Sequence, residues 1–169
     1  MSGEDDTIVP GERIGPFCLG SSEIEVLAQV AGAAVHREQR GELEVLHAGS
    51  VSFWFDDGFL TQIGVHGSYA GRTASGIGIG STLAELAVGG TVGFDLDDGV
   101  LVLEEVGGIC FDVGDGLPEM SQLLAESWAH GDVDGPGFEL DESWTVSWIG
   151  VFDARRVAAA EREAAAEDE

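Results

Sequence analysis

The chain contains an internal sequence repeat, and this repeat limits the folds open to it more than any other feature. Four short blocks return in the same order: LGSSEIEV (19–26) as IGSTLAEL (79–86), VSF (51–53) as ICF (109–111), Asp-Gly (57–58) at 115–116, and IGV (63–65) at 149–151. The last block is displaced further than the others. One folding unit used twice, with an insertion within 117–144 of the second copy, explains the pattern.

Each copy is predicted to form one helix followed by four antiparallel strands. Ser21 or Ser22 in the first copy, and Ser81 or Thr82 in the second, can cap a helix that continues with apolar residues at helical spacing. Turn signals such as Asp-Gly, separated by alternating apolar residues, then indicate strands. We therefore expect an α+β fold: a tandem repeat of one helix plus four antiparallel strands, with the sheets forming one curved surface and the helices on one face.

The repeat also sets the expected domain organisation. Residues 1–9 are polar and acidic and are predicted to be disordered. The remaining expected units are a first repeat at 10–72, a second repeat at 73–153 that includes the insertion 117–144, and an acidic Ala/Glu-rich tail at 154–169.

The composition is strongly acidic and argues against nucleic-acid binding. The chain has 32 Asp and Glu residues against seven Arg and no Lys, which gives a net charge of −25. Phosphate contacts require clustered cations, so direct binding to nucleic acid is excluded. Three explanations of the acidity stay open: a high-salt or acidic proteome, a basic protein partner, and divalent-ion buffering.

The sequence gives no signal for secretion or membrane insertion. Residues 1–6 lack the basic start and apolar run of a signal peptide, and no apolar run approaches the ~18 residues of a membrane-spanning helix. Cys18 and Cys110 make a poor disulfide framework. A cytoplasmic location is therefore expected.

No motif predicts a catalytic, cofactor-binding or metal site. The glycine-rich segment at 76–80 lacks the lysine of a phosphate-binding loop, and Ser68 lies in a segment one residue too long for a nucleophile elbow. The aspartates at 95, 97 and 98 lack the glutamate that completes a calcium loop, and the four histidines are scattered. We therefore expect no enzyme activity and no cofactor.

Alternation along the strands separates two faces of the predicted sheet. One face is apolar in both copies and should pack on the helices. The opposite face mixes polar and aromatic residues, namely Ser52, Trp54, Gln62, His66, Cys110, Asp112, Trp148 and Phe152. Two interpretations of Trp54 and Trp148 are open: burial under a helix of the insertion, or a role as anchors for a bound protein.

The repeat resembles the architecture of the beta-lactamase inhibitor protein family, on the basis of its Gly-Ser helix starts and Asp-Gly turns. The segment PGERIG at 10–15 also resembles the starts of small bacterial proteins associated with immunity to toxins. Members of the inhibitor family grip a protein with the concave face of a tandem sheet. That resemblance implicates Trp54, Gln62, His66, Asp112 and Trp148 here. The family's secreted members carry signal peptides and disulfides, whereas this chain shows neither a signal peptide nor a plausible disulfide pair. Inhibition of a beta-lactamase is therefore not implied.

These observations lead to the hypothesis of a non-catalytic binding protein. In its most concrete form it is an acidic immunity or inhibitor protein that occludes a basic partner such as a toxin nuclease. Trp54 and Trp148 would be anchors, Gln62 and His66 would lie beside them, and carboxylates would contact the cations of the partner: Asp56, Asp57, Asp97, Asp98 and Asp112. The alternatives are a structural or regulatory module that forms homo-oligomers through the same face, and a small-ligand site between the two halves.

Overall fold

Tight turns with glycine at positive φ connect many of the antiparallel strands in the described residues. In the computed structural model, which describes residues 6–95, 100–113, 145–155, 162–163 and 165–166, Asp57 and Gly58 have φ of 53° and 82°. Positive φ at both central residues is the mark of a type I′ hairpin turn, so the Asp-Gly turn prediction at 57–58 is confirmed. The turn at Gly41, with φ of 64°, joins another hairpin as predicted.

These hairpins build one eight-stranded antiparallel sheet with the order β4-β5-β6-β7-β11-β10-β9-β8. Its strands are β4 (Val35–Arg40), β5 (Leu43–Ala48), β6 (Val51–Asp56), β7 (Phe59–His66), β8 (Val92–Asp95), β9 (Val100–Leu103), β10 (Val106–Asp112) and β11 (Trp148–Phe152). β4 and β8 are the outermost strands of this order, and β7 and β11 are its central pair.

The central pair joins two segments that have the same local sequence. Ile63 of β7 lies opposite Val151 of β11, Gly64 opposite Gly150, and Val65 opposite Ile149. All four apolar members of these pairs are fully buried. The IGV block of the sequence therefore pairs with its own second occurrence, and this pairing connects the two ends of the sheet order.

A second, three-stranded antiparallel sheet is formed by the N-terminal region, with strands β1 (Ile8–Val9), β2 (Arg13–Ile14) and β3 (Phe17–Cys18). Ile8 and Ile14 are buried in the main hydrophobic core. Residues 8 and 9 are thus part of a sheet, although the sequence predicted disorder up to residue 9. Ile8 is buried in the core, although most of the residues around it in the sequence are polar.

Two short helices contribute to the same core. Helix α1 (Glu23–Gln29) begins at a capping box, in which Ser22 Oγ accepts from the Glu25 amide and the Glu25 carboxylate accepts from the Ser22 amide. Helix α2 (Leu83–Val88) begins at Thr82, whose side chain accepts from the Glu85 amide. α1 buries Val26 and leaves Ile24 80% exposed, whereas α2 buries Leu83 and Leu86.

The predicted α+β repeat of one helix plus four strands is wrong as a description of this fold. In the described residues the chain is mostly β, with an eight-stranded and a three-stranded sheet, and α1 and α2 have only seven and six residues. Such helices are about 10 Å long, whereas eight strands side by side span roughly 35 Å. Two short helices cannot cover the whole width of the eight-stranded sheet. The three-stranded sheet covers part of the remainder.

Several predicted features lie outside the described residues. They are the insertion 117–144, the turn at 96–99 with Asp97 and Asp98, and most of the tail at 154–169. None of the helices in the described residues has the length and apolar character needed to cross a membrane.

Two phenylalanines offer a matched test of the core. Phe53 of β6 is fully buried, whereas Phe59 at the start of β7 is 52% exposed. We expect Phe53→Ala to lower the free energy of unfolding by about 3–5 kcal/mol, since it leaves a cavity. Phe59→Ala is expected to lower it by only about 1 kcal/mol, since half of that side chain is already in solvent. Urea unfolding of both variants measures the difference, and equal losses would place the core on the wrong face of the sheet.

Candidate protein-binding face

The sheet face opposite the main core carries three rows of side chains that run across the strands. We call it the outer face. Strand register defines the first row as His66, Trp148 and Asp112. The second row is His47, Ser52, Gly64, Gly150 and Cys110. The third row is Glu38, Val45, Trp54, Gln62 and Phe152.

The two central glycines make room for one large aromatic ring. If a Cβ were added to Gly64 it would lie 2.7 Å from Nε1 of Trp148, and on Gly150 it would lie 2.2 Å from Cη2 of the same ring. The indole of Trp148 therefore lies against the backbone of both central strands. Any side chain in place of either glycine would occupy the volume that the indole fills.

The indole of Trp148 reaches across the glycine row to Trp54. The ring centroids are 6.2 Å apart, and the ring planes are at 85° to each other. Edge-to-face pairs of this kind are favourable because the positive edge of one ring meets the negative face of the other. Both tryptophans are half-buried, so each keeps part of its surface in solvent. We call this pair the aromatic corner.

The structure places five of the predicted site residues on the outer face. Gln62 is the cross-strand neighbour of Trp54, and His66 and Asp112 lie on either side of Trp148. Asp56 and Asp57 lie at the hairpin turn beyond Trp54 and are exposed. Asp97 and Asp98 lie outside the described residues. The aromatic and polar members of the predicted set are thus together, and two of the carboxylates are at one end of the sheet.

A chain of hydrogen bonds lies next to the aromatic corner. His47 Nδ1 is 2.8 Å from Ser52 Oγ, and His47 Nε2 is 3.0 Å from a carboxylate oxygen of Glu38. Because an ionised carboxylate only accepts hydrogen bonds, Nε2 donates to Glu38, and Nδ1 shares the second hydrogen bond with the serine hydroxyl. The chain links β6, β5 and β4 through side chains in addition to the backbone ladder.

Arg40 keeps the glutamate in this group of hydrogen bonds ionised. Its guanidinium is 3.0 Å from Glu38 and, with the hydrogen bond from His47, lowers the pKa of that carboxyl below 4.5. The same contact raises the pKa of Arg40. Both groups are exposed, so the ion pair itself contributes little to stability. Its consequence is that Glu38 stays ionised and holds His47 in one orientation.

The order serine, histidine, glutamate is that of a nucleophile, its base and an orienting group. Here Ser52 is only 4% exposed, and it lies in the middle of β6 between strands on both sides. Amides at such positions are used by the sheet ladder and do not point at a reacting oxyanion. We interpret the group as a cross-strand link that supports the outer face.

Sequence reasoning missed this link because it depends on two hairpin registers at once. A two-residue turn at Gly49 and Ser50 places His47 opposite Ser52. The turn at Gly41 then places Glu38 diagonally across from His47. Each turn carries a glycine with positive φ, so counting back from both turns would have indicated the contact.

In the described part of the chain, no group of three or more His, Cys, Asp or Glu side chains lies close enough together to hold a metal ion. A cavity of about 350 Å³ lies between the β1–β2 turn and the end of β11, lined by Pro10, Gly11, Glu12, Asp153, Ala154 and Arg155. Its lining carries both signs of charge and indicates no particular ligand.

Comparison with known proteins gives no relative for this chain. No protein-family model matches it, and no match was found among curated proteins or solved structures.

The packing of Trp148 on Gly64 can be tested by adding one methyl group. Gly64→Ala is expected to lower the free energy of unfolding by about 1–3 kcal/mol, because the new Cβ overlaps the indole. In a Trp148→Ala background the same change should cost less, since the overlapping ring is gone. Gly107→Ala, whose Cβ would meet only Ala154 at 3.6 Å, is the control. An equal cost of Gly64→Ala in both backgrounds would contradict this packing.

The Glu38 carboxylate predicts a specific pH dependence. Its pKa is lower in the folded chain than the usual 4.5, so it stabilises the fold above that pH, and the contribution is lost as the pH falls through the folded value. Glu38→Gln should therefore be destabilising at pH 7, and the difference from the native chain should shrink below pH 4.5. Urea midpoints at several pH values measure this, with Glu42→Gln in the neighbouring turn as the charge-matched control. A difference that stays constant with pH would refute it.

Proposed function

We propose that this protein binds another protein through its outer face, with Trp54 and Trp148 as the anchors. The observation that carries the proposal is the aromatic corner itself: two tryptophans in perpendicular contact, both part-exposed, on a face that also carries Gln62 and Asp112. Tryptophan is enriched among the residues that dominate binding energy at protein interfaces, where polar neighbours surround it.

The charge of the chain favours a basic partner. A net charge of −25 creates a strong negative potential, which attracts cationic proteins and speeds their association. The most concrete form of the proposal is an immunity or inhibitor protein that occludes a basic enzyme such as a toxin nuclease. Exposed Asp56 and Asp57 at the end of the sheet would face cations that the enzyme uses to hold phosphates.

The main alternative is self-association through the same face, and salt separates the two. Two copies of a chain with net charge −25 repel each other, so added salt should strengthen their association. Attraction to a basic partner should instead weaken with salt. Sedimentation at low and moderate salt therefore distinguishes a homo-oligomer from a binding protein.

The direct test is capture of the partner from the native lysate, followed by affinity measurement on the purified pair. We expect one basic protein to be retained, and Trp54→Ala or Trp148→Ala to weaken its binding by about 30-fold or more, the loss typical of an interface hot spot. Trp148→Phe provides a milder change if removal of the whole ring affects folding.

Ile24→Ala is the matched control, because Ile24 is 80% exposed on α1 and lies away from the outer face. It should leave partner binding unchanged. If the captured protein binds the tryptophan variants and the native chain equally well, the outer face is not the binding surface. Retention of no basic protein at low salt would count against a basic partner.

A further inference from the structure

We infer that the aromatic corner is a subsite for a single arginine side chain, supplied by the basic partner. This inference rests on the proposed function for the source of the arginine, but the geometry of the site stands on its own. It concerns what the two tryptophans bind, beyond the proposal that they lie in a protein interface.

The first observation is the way the Trp148 ring lies on the sheet. Its atoms Nε1, Cε2 and Cζ2 lie above Gly64, and its atoms Cζ3 and Cη2 lie above Gly150. The ring is thus held against the backbone of both central strands. Because Trp148 is only half-buried, part of its indole is open to solvent and can meet a ligand.

The second observation is the orientation of Trp54. Its ring stands at 85° to the ring of Trp148, with the centroids 6.2 Å apart. The two rings therefore form the sides of a corner that is close to a right angle. A cation placed in such a corner meets two indoles, and indole is the best of the aromatic side chains at binding cations.

The third observation is the distribution of polar groups around the corner. Asp112 and His66 are the cross-strand neighbours of Trp148 on its two sides, and Gln62 is the neighbour of Trp54. The Asp112 carboxylate adds negative charge beside Trp148. Two of the described arginines, Arg37 and Arg40, are engaged with glutamates near the sheet edge.

These features favour arginine over lysine. A guanidinium is planar, stacks on an aromatic face and is more weakly hydrated than an ammonium group, so it loses less on leaving water. A flat indole with a carboxylate beside it matches that shape. The ammonium of lysine is a compact, strongly hydrated charge and gains less from stacking.

The test uses three capped tripeptides, with arginine, lysine or citrulline between two glycines. Citrulline has nearly the shape of arginine without its charge, and lysine has its charge without its shape. Binding to the whole chain is followed by the NMR signals of the Trp54 and Trp148 indole N–H groups at moderate salt. We expect the arginine peptide to shift both signals and to bind at least about threefold more tightly than the lysine peptide, with no saturable shift from citrulline.

Two variants complete the experiment. Trp148→Leu should abolish the preference for arginine over lysine, and Ile24→Ala should leave it unchanged. Equal binding of arginine and lysine to the native chain would show only attraction to its negative charge and would overturn the inference. So would an arginine preference that survives in Trp148→Leu.

The result can be separated from the proposed function. If the peptides show no preference but a captured partner still depends on Trp54 and Trp148, the arginine subsite fails and the protein interface stands. If arginine binds as expected but no protein is captured, the corner is a cation site and the proposed protein partner fails.

Discussion

The structure depends on the pairing of β7 with β11. This pairing places a strand from the end of the described sequence in the middle of the sheet, next to a strand from its first half. Its apolar residues alternate toward the core, where Ile63, Val65, Ile149 and Val151 are fully buried. If β11 were removed, β7 and β10 would each lose a partner, and the sheet order would break into two parts. Burial of these four side chains opposes that separation.

The same pairing creates the outer face. Antiparallel register sets Gly64 opposite Gly150, so the middle of the sheet has no side chains at the point where Trp148 leans across it. The ring gains contact with the backbone and with Trp54 but keeps part of its surface in solvent. The register of the two central strands thus determines where the Trp148 ring lies on the proposed binding face. The link from Glu38 through His47 to Ser52 supports the adjoining strands.

Some of this arrangement could be predicted from sequence and some could not. The Asp57-Gly58 turn is readable because only a few residues tolerate two successive positive φ angles, and alternation correctly assigned Trp54 and Trp148 to one face. The three-stranded N-terminal sheet was missed because strands of two residues are too short to show a period. The helix starts could be predicted from Ser22 and Thr82. The helix lengths of seven and six residues instead reflect how small a part of the core each helix covers. The lean of Trp148 over two glycines depends on its rotamer and on a partner strand more than eighty residues away.

The most direct test of this account is amide hydrogen exchange across the eight-stranded sheet. Amides of central strands exchange only when much of the fold opens, whereas edge strands open locally. We expect β7 and β11 to be among the slowest segments and β4, the exposed edge strand, to exchange much faster. If residues 148–152 exchange as rapidly as residues 35–40, then β11 does not lie in the middle of the sheet, and the outer face described above does not exist.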